Sequence, residues 1–145
     1  MALRMLAQRR LTEAGLWTRL ARRGYPDDEV REAVAAGRRA GFLDDALFAR
    51  LFIETRASTL GDARVIAELV RRGITQEAAA TSLAAAERGE PERLEAAYAK
   101  LVRRRPTLGY ANAARALERL GFPAPAIYRC LSQRARAELA PPRAD

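Results

Sequence analysis

Three segments of this chain can be laid over one another: LARRGYPDDEVREAV from Leu20, LVRRGITQEAAATSL from Leu69 and LERLGFPAPAIYRCL from Leu117. Their glycines, Gly24, Gly73 and Gly121, stand 49 and 48 residues apart. Each follows a helical stretch and precedes a large apolar residue, Tyr25, Ile74 or Phe122. Glycine reaches positive φ without a Cβ penalty, so the pattern predicts a left-handed glycine that ends one helix, with the next side chain tucked back against it. Leu16 and Leu20, Val65 and Leu69, and Ala113 and Leu117 lie eight and four residues before the glycines, on one face of a helix. Val30 and Val34, Ala79 and Leu83, and Ile127 and Leu131 hold matching positions on a helix after them.

A further helix precedes each pair, over about Ala2–Arg10, Asp44–Arg56 and Pro91–Arg104. In the last of these Leu94, Tyr98, Leu101 and Val102 form the apolar stripe, and Pro91 suits the first turn. The chain therefore reads as all-α, with nine principal helices in three tandem three-helix units at 1–40, 41–89 and 90–145. No run alternates apolar and polar residues long enough for a sheet. A unit of this size buries too little surface to stand alone, and stacking on its neighbour supplies the missing burial. An elongated, curved array is the expected outcome, with Ala140–Asp145, which contains Pro141-Pro142, as a disordered tail.

The middle unit opens on the most distinctive stretch, GFLDDALFARLFIETR from Gly41 to Arg56. Asp44 is a good N-cap, Asp45 adds a second negative charge to the first turn, and Leu43 is placed to act as a hydrophobic staple. Phe48, Leu51, Phe52 and Thr55 follow at the spacing of one face, with Phe42 at its mouth. Phe48 and Phe52 are expected to be buried. Trp17, beside Leu16 and Leu20, and Cys130, between Ile127 and Leu131, read as core residues.

The charge narrows the partners. There are 26 basic and 18 acidic side chains, a net charge of +8, and every basic residue but Lys100 is arginine. Arginine suits forked contacts to phosphate and carboxylate; a G+C-rich genome accounts for the same bias. The net charge points to an anionic partner, nucleic acid or an acidic protein surface. By unit the charge runs +4, −1, +5, so it is concentrated at the two ends. With no histidine and no phosphate-binding loop, His-based catalysis and nucleotide chemistry have no residues to work with. One cysteine excludes an internal disulfide, and no apolar run approaches a membrane span. A cytoplasmic protein without cofactor, metal or enzymatic activity is expected.

The repeat, and above all the Gly41-Phe42-Leu43-Asp44-Asp45 segment with Phe48, Ala49 and Arg56, resembles the RecX family of bacterial recombination regulators. The first unit, ALRMLAQRRLTEAGLWTRLARRGY, matches the family's helix, short turn and basic helix ending at Gly24. The resemblance has motif support over about residues 2–87 and continues through the third unit by helix pattern. It implies a regulator, usually an inhibitor, of the RecA-type recombinase in DNA repair and the SOS response, bound to the recombinase filament on DNA and without catalytic activity. The chain departs from the family in its central linker, where Ala57-Ser58-Thr59-Leu60 and Asp62 stand in place of basic residues. Phosphate contact is therefore expected at the ends, not the centre.

The candidate recombinase- or DNA-binding residues are Arg19, Arg22, Arg23, Arg71, Arg72, Arg103, Arg104 and Arg105. Those at the ends of the second helices, Arg119 included, also offset the helix dipole, which alone would account for them. Lys100 and Arg104 share a face with Arg93, opposite the apolar stripe. The partners expected are a RecA-type filament and, weakly and without sequence preference, single- and double-stranded DNA; no membrane; and a monomeric state. The competing reading is an autonomous DNA-binding transcriptional regulator. It suffers from helices such as Thr75–Ala86, which carry little with which to read bases.

Overall fold

The structure is a computed structural model and describes residues 10–139. Among them are eight helices and no strand: α1 (Glu13–Arg22), α2 (Asp27–Arg39), α3 (Asp45–Arg56), α4 (Asp62–Arg71), α5 (Gln76–Ala84), α6 (Glu90–Arg104), α7 (Tyr110–Arg119) and α8 (Ala124–Leu139). The helix expected over Ala2–Arg10 and the tail Ala140–Asp145 lie outside the described residues, apart from Arg10 itself. The chain is all-α and built of tandem three-helix repeats. By contacts it divides into two compact units, one holding residues 10–55 and 66–86, the other 56–65 and 87–139, with the boundary inside α4.

All twelve apolar positions matched around the three glycines are buried. The glycines sit at φ +88°, +93° and +95°, each just past the end of a helix. At each corner two bonds close the turn. Gly24, Gly73 and Gly121 N–H groups donate to the carbonyls of Ala21, Val70 and Glu118, while Tyr25, Ile74 and Phe122 donate to those of Leu20, Leu69 and Leu117. Gly41, at φ +78°, forms a fourth corner of the same kind, with Gly41 N–H on Arg38 and Phe42 N–H on Gly37. These are Schellman turns, which satisfy carbonyls that the helix end leaves open. Ile74 and Phe122 tuck in as expected, whereas Tyr25 stays 36% exposed and Phe42 56%.

In the first unit Leu16, Leu20, Val30, Val34 and Leu43 form a core between α1 and α2, with Trp17 packed against it. In the second, Leu94, Ala97, Ala113, Leu117, Phe122, Ile127, Cys130 and Leu131 form a core among α6, α7 and α8. Burial also pushes the Cys130 thiol pKa up, and the neighbouring Glu95 carboxylate adds to this. That disfavours the reactive thiolate.

Four expectations need correction. The inward face of α3 is Ala49, Phe52 and Ile53; Phe48 and Leu51 are only half-buried and Thr55 is exposed. The helix is apolar on nearly every side, so periodicity could not select the face, and the Thr55 hydroxyl is satisfied locally on the Leu51 carbonyl at 2.7 Å. On α6 the stripe runs Leu94, Ala97, Tyr98, Leu101, and Val102 is 39% exposed. Tyr25 fails to tuck in. Arg93, placed by spacing on the solvent face, is 2% exposed.

Candidate functional site

The three second helices start at equivalent points, twelve residues before each corner glycine. The N-cap positions are Thr12, Gly61 and Gly109, whose carbonyls accept from Leu16, Val65 and Ala113 N–H respectively. Two of these helix starts are seated on the corner of the following repeat.

The first joint lies within the first compact unit. Thr12, 2% exposed, takes the Gly15 N–H at 3.0 Å through its hydroxyl oxygen and donates its own proton to the Arg72 carbonyl. The Glu13 N–H donates to the Asp45 carboxylate at 3.0 Å. Gly73 leaves room for Ala14, because a Cβ at position 73 would stand 2.2 Å from the Ala14 Cβ. The second joint lies within the other unit and repeats the plan. Gly61 N–H donates to the Leu120 carbonyl at 2.8 Å, and Asp62 N–H to the Glu90 carboxylate at 2.7 Å. A Cβ at Gly61 would stand 2.2 Å from the Gly121 carbonyl oxygen. Open N–H groups of one repeat's helix are thus capped by a carbonyl and an acid of the next.

This gives the paired aspartates separate tasks. Asp44 caps its own helix by accepting from Leu47 N–H at 3.0 Å, whereas Asp45 caps α1 of the preceding repeat. Burial raises the Asp45 pKa, the Glu13 N–H works against that rise, and the Glu13 carboxylate adds to it. Glu13 moves the other way, lowered chiefly by its forked bond to Arg38, both contacts at 2.6 Å. The signs oppose. Glu13 contributes stability above its unfolded pKa that is lost as pH falls through its folded value; Asp45 costs stability as pH rises through its unfolded and then its folded value. Asp45→Ala is therefore expected to lose about 1–2 kcal/mol by orphaning the Glu13 N–H. Asp45→Asn keeps an acceptor oxygen and should lose less than half of that; denaturant melts of the two variants at neutral pH make the comparison.

Arg93 belongs to the second joint. Its guanidinium donates to the Leu60 carbonyl at 2.6 Å and to the Asp62 carboxylate, and its Nε is the one buried side-chain polar atom without a partner among the described residues. No periodicity could find it. The detectable signal was the acid at the start of each first helix, Asp45 and Glu90, paired with an acid at the start of the helix it caps, Glu13 and Asp62. A shallow depression lined by Asp62, Glu90, Glu118, Gly121 and Phe122 flanks this joint. Among the described residues no cluster of metal-ligating side chains is present.

The basic candidates fall into two groups. Arg22, Arg23, Arg103, Arg104 and Arg105 are exposed, the first two at the end of α1 and the others at the end of α6. Arg19 is half-buried. Arg71 is exposed and lies 3.6 Å from Glu68. Arg72 is held inside its unit: its guanidinium bonds Glu68 at 2.8 Å and stacks 4.7 Å above the Phe52 ring. Of the motif residues, Gly41 shapes a corner, Leu43 and Phe52 are core, and Phe42 and Arg56 are exposed. No helix among the described residues is long and apolar enough to cross a membrane.

Two family models match. One described as the first three-helix domain of RecX covers residues 1–35, and one described as its second three-helix domain covers residues 44–83. The regulatory protein RecX of Thermus thermophilus is 38% identical over 122 residues, 84% of this chain and 81% of the relative. That of Mycobacterium ulcerans is 37% identical over 100 residues, 65% of this chain and 58% of the relative. Among solved structures, RecX from Lactobacillus salivarius superposes with TM-score 0.73 at 19% identity, covering 91% of this chain and 90% of its own. A second regulatory protein RecX gives TM-score 0.75 at 20% identity, covering 90% and 69%. At those identities the structures speak for the fold alone.

Proposed function

The chain belongs to the RecX family, and on that premise we propose that it binds the filament of a RecA-type recombinase on DNA and restrains its ATP hydrolysis and strand exchange. The observation that carries this reading is the placement of the exposed arginines. Arg22 and Arg23 close α1, and Arg103 to Arg105 close α6. Exposed guanidinium groups at helix ends are positioned for carboxylates and phosphates, and a recombinase filament on DNA presents both. Repeats that engage more than one protomer gain avidity from being linked. Contact with DNA alone is weak, salt-dependent and indifferent to sequence, because charge is plentiful and base-reading side chains are few.

The test is recombinase-catalysed ATP hydrolysis on single-stranded DNA, with and without a stoichiometric amount of the protein. Inhibition is expected, and an unchanged rate would overturn the proposal. Arg22/Arg23→Glu is expected to weaken inhibition about tenfold or more, with a steeper loss at higher salt, while leaving the melting temperature within a degree or two. The matched central change is Arg71→Glu alone, since Arg72→Glu would also break the stack on Phe52. It should matter less, because the middle repeat has no excess positive charge to steer association. Equal losses from both would refute the end-weighted contact.

A further inference from the structure

Both halves of the joint that links neighbouring repeats are present once more in this chain, each without its counterpart. The corner half is Gly24. Where Gly73 and Gly121 are pressed against Ala14 and Arg64 of the neighbouring repeat, a Cβ at Gly24 would meet nothing within 4 Å. Tyr25 beside it remains 36% exposed, although its counterparts Ile74 and Phe122 are 4% and 3% exposed. The helix-start half is Gly109. It occupies the N-cap of α7 as Gly61 occupies that of α4, and it has no side chain to cap the helix. Gly61 must be glycine because of the Gly121 carbonyl against it. Gly109 has ordinary backbone angles, φ −73° and ψ 166°, and a Cβ placed there would meet nothing within 4 Å, so the chain itself supplies no reason for glycine. The residue two beyond the N-cap is alanine at all three starts, Ala14, Ala63 and Ala111, and Ala111 is exposed.

We infer that the occupant of each half is a second copy of this chain, docked head to tail. The Gly109 N–H of one copy donates to the Arg23 carbonyl of the next, as Gly61 N–H donates to Leu120 and the Thr12 hydroxyl to Arg72. Ala111 lies over Gly24 as Ala14 lies over Gly73. The contact is heterologous, so each added copy presents a fresh corner and a fresh helix start. It is also weak. The area of one joint is small, and α7 begins on Tyr110 where α1 and α4 begin on Glu13 and Asp62, so its first residue brings no acid to the corner. The first and third units carry net charges of +4 and +5, which repel until they are screened.

The test is sedimentation equilibrium of the full chain from about 20 µM to about 1 mM at roughly 0.5 M salt, where like-charge repulsion is short-ranged and a small interface is still detectable. The weight-average mass is expected to rise with concentration and to pass twice the monomer mass. Gly109→Pro removes the donor N–H at a φ proline accepts, in a chain that already uses Pro26 as a helix N-cap, and should weaken association at least tenfold. Gly109→Ser restores a hydroxyl donor of the kind Thr12 supplies and should associate like the parent. Ala111→Trp, a change at an exposed position, should block docking by bulk and guards against misfolding of the proline variant. Melting temperatures check that all three fold. A mass that stays at the monomer throughout, or a Gly109→Pro protein that associates as well as the parent with Ala111→Trp doing the same, would overturn the inference.

Discussion

One methyl group at position 61 is expected to cost about 3 kcal/mol, or roughly 10 °C in melting temperature for a chain of this size. The Gly61 Cα faces the backbone of Gly121 so closely that a Cβ would lie 2.2 Å from its carbonyl oxygen and 2.5 Å from the Phe122 nitrogen. No side chain can swing away, because the neighbours are backbone atoms. Relief requires the start of α4 to lift from the corner. That movement lengthens the 2.8 Å bond from Gly61 N–H to Leu120 and disturbs the Arg93 contacts to Leu60 and Asp62. The control is Gly109→Ala at the equivalent N-cap, where nothing stands in the way. There the effect should stay within about 0.5 kcal/mol, the range of an exposed site without special contacts. Urea melts of the two alanine variants decide the matter, and similar losses at both positions would mean that the joint is not tightly packed.

Phe52→Ala is expected to lose about 3–5 kcal/mol. The ring is 6% exposed, on the inward face of α3 with Ala49 and Ile53, and its removal leaves a cavity the size of a phenyl group. It also removes the surface over which the Arg72 guanidinium is stacked, while Glu68 continues to hold that guanidinium. Phe48→Ala on the same helix should cost clearly less, since Phe48 is only half-buried. Thermal denaturation of both variants tests the order. If Phe48→Ala proved the more damaging, the inward face of α3 would be the one its periodicity first indicated.

Local chemistry wrote much of this architecture directly into the chain. A glycine that must enter the left-handed region, an arginine-bearing helix before it, and apolar pairs at fixed offsets on both sides are each short-range requirements. The twelve paired positions and three corners could therefore be read from the residues alone, as could Asp44 as a cap and the family to which the motif belongs. Even there, Tyr25 shows the limit of local reading: its spacing matches Ile74 and Phe122, but its exposure does not.

The sequence by itself determined the helices, their corners and the residues that line each core, because these depend on backbone sterics and on a period of 3.6 residues. Only the tertiary structure decided which polar groups face one another across repeats. Asp45 serves the start of α1 32 residues upstream, and Arg93 reaches back 31 residues to Asp62. Arg72 is held by Glu68 and Phe52, while Arg22 and Arg23 are exposed at the equivalent corner. Arginine pairs with the same local sequence environment thus differ in how far they are enclosed. The difference depends on whether a neighbouring repeat brings its helix start to that corner, and packing at a distance leaves no periodic trace in the chain.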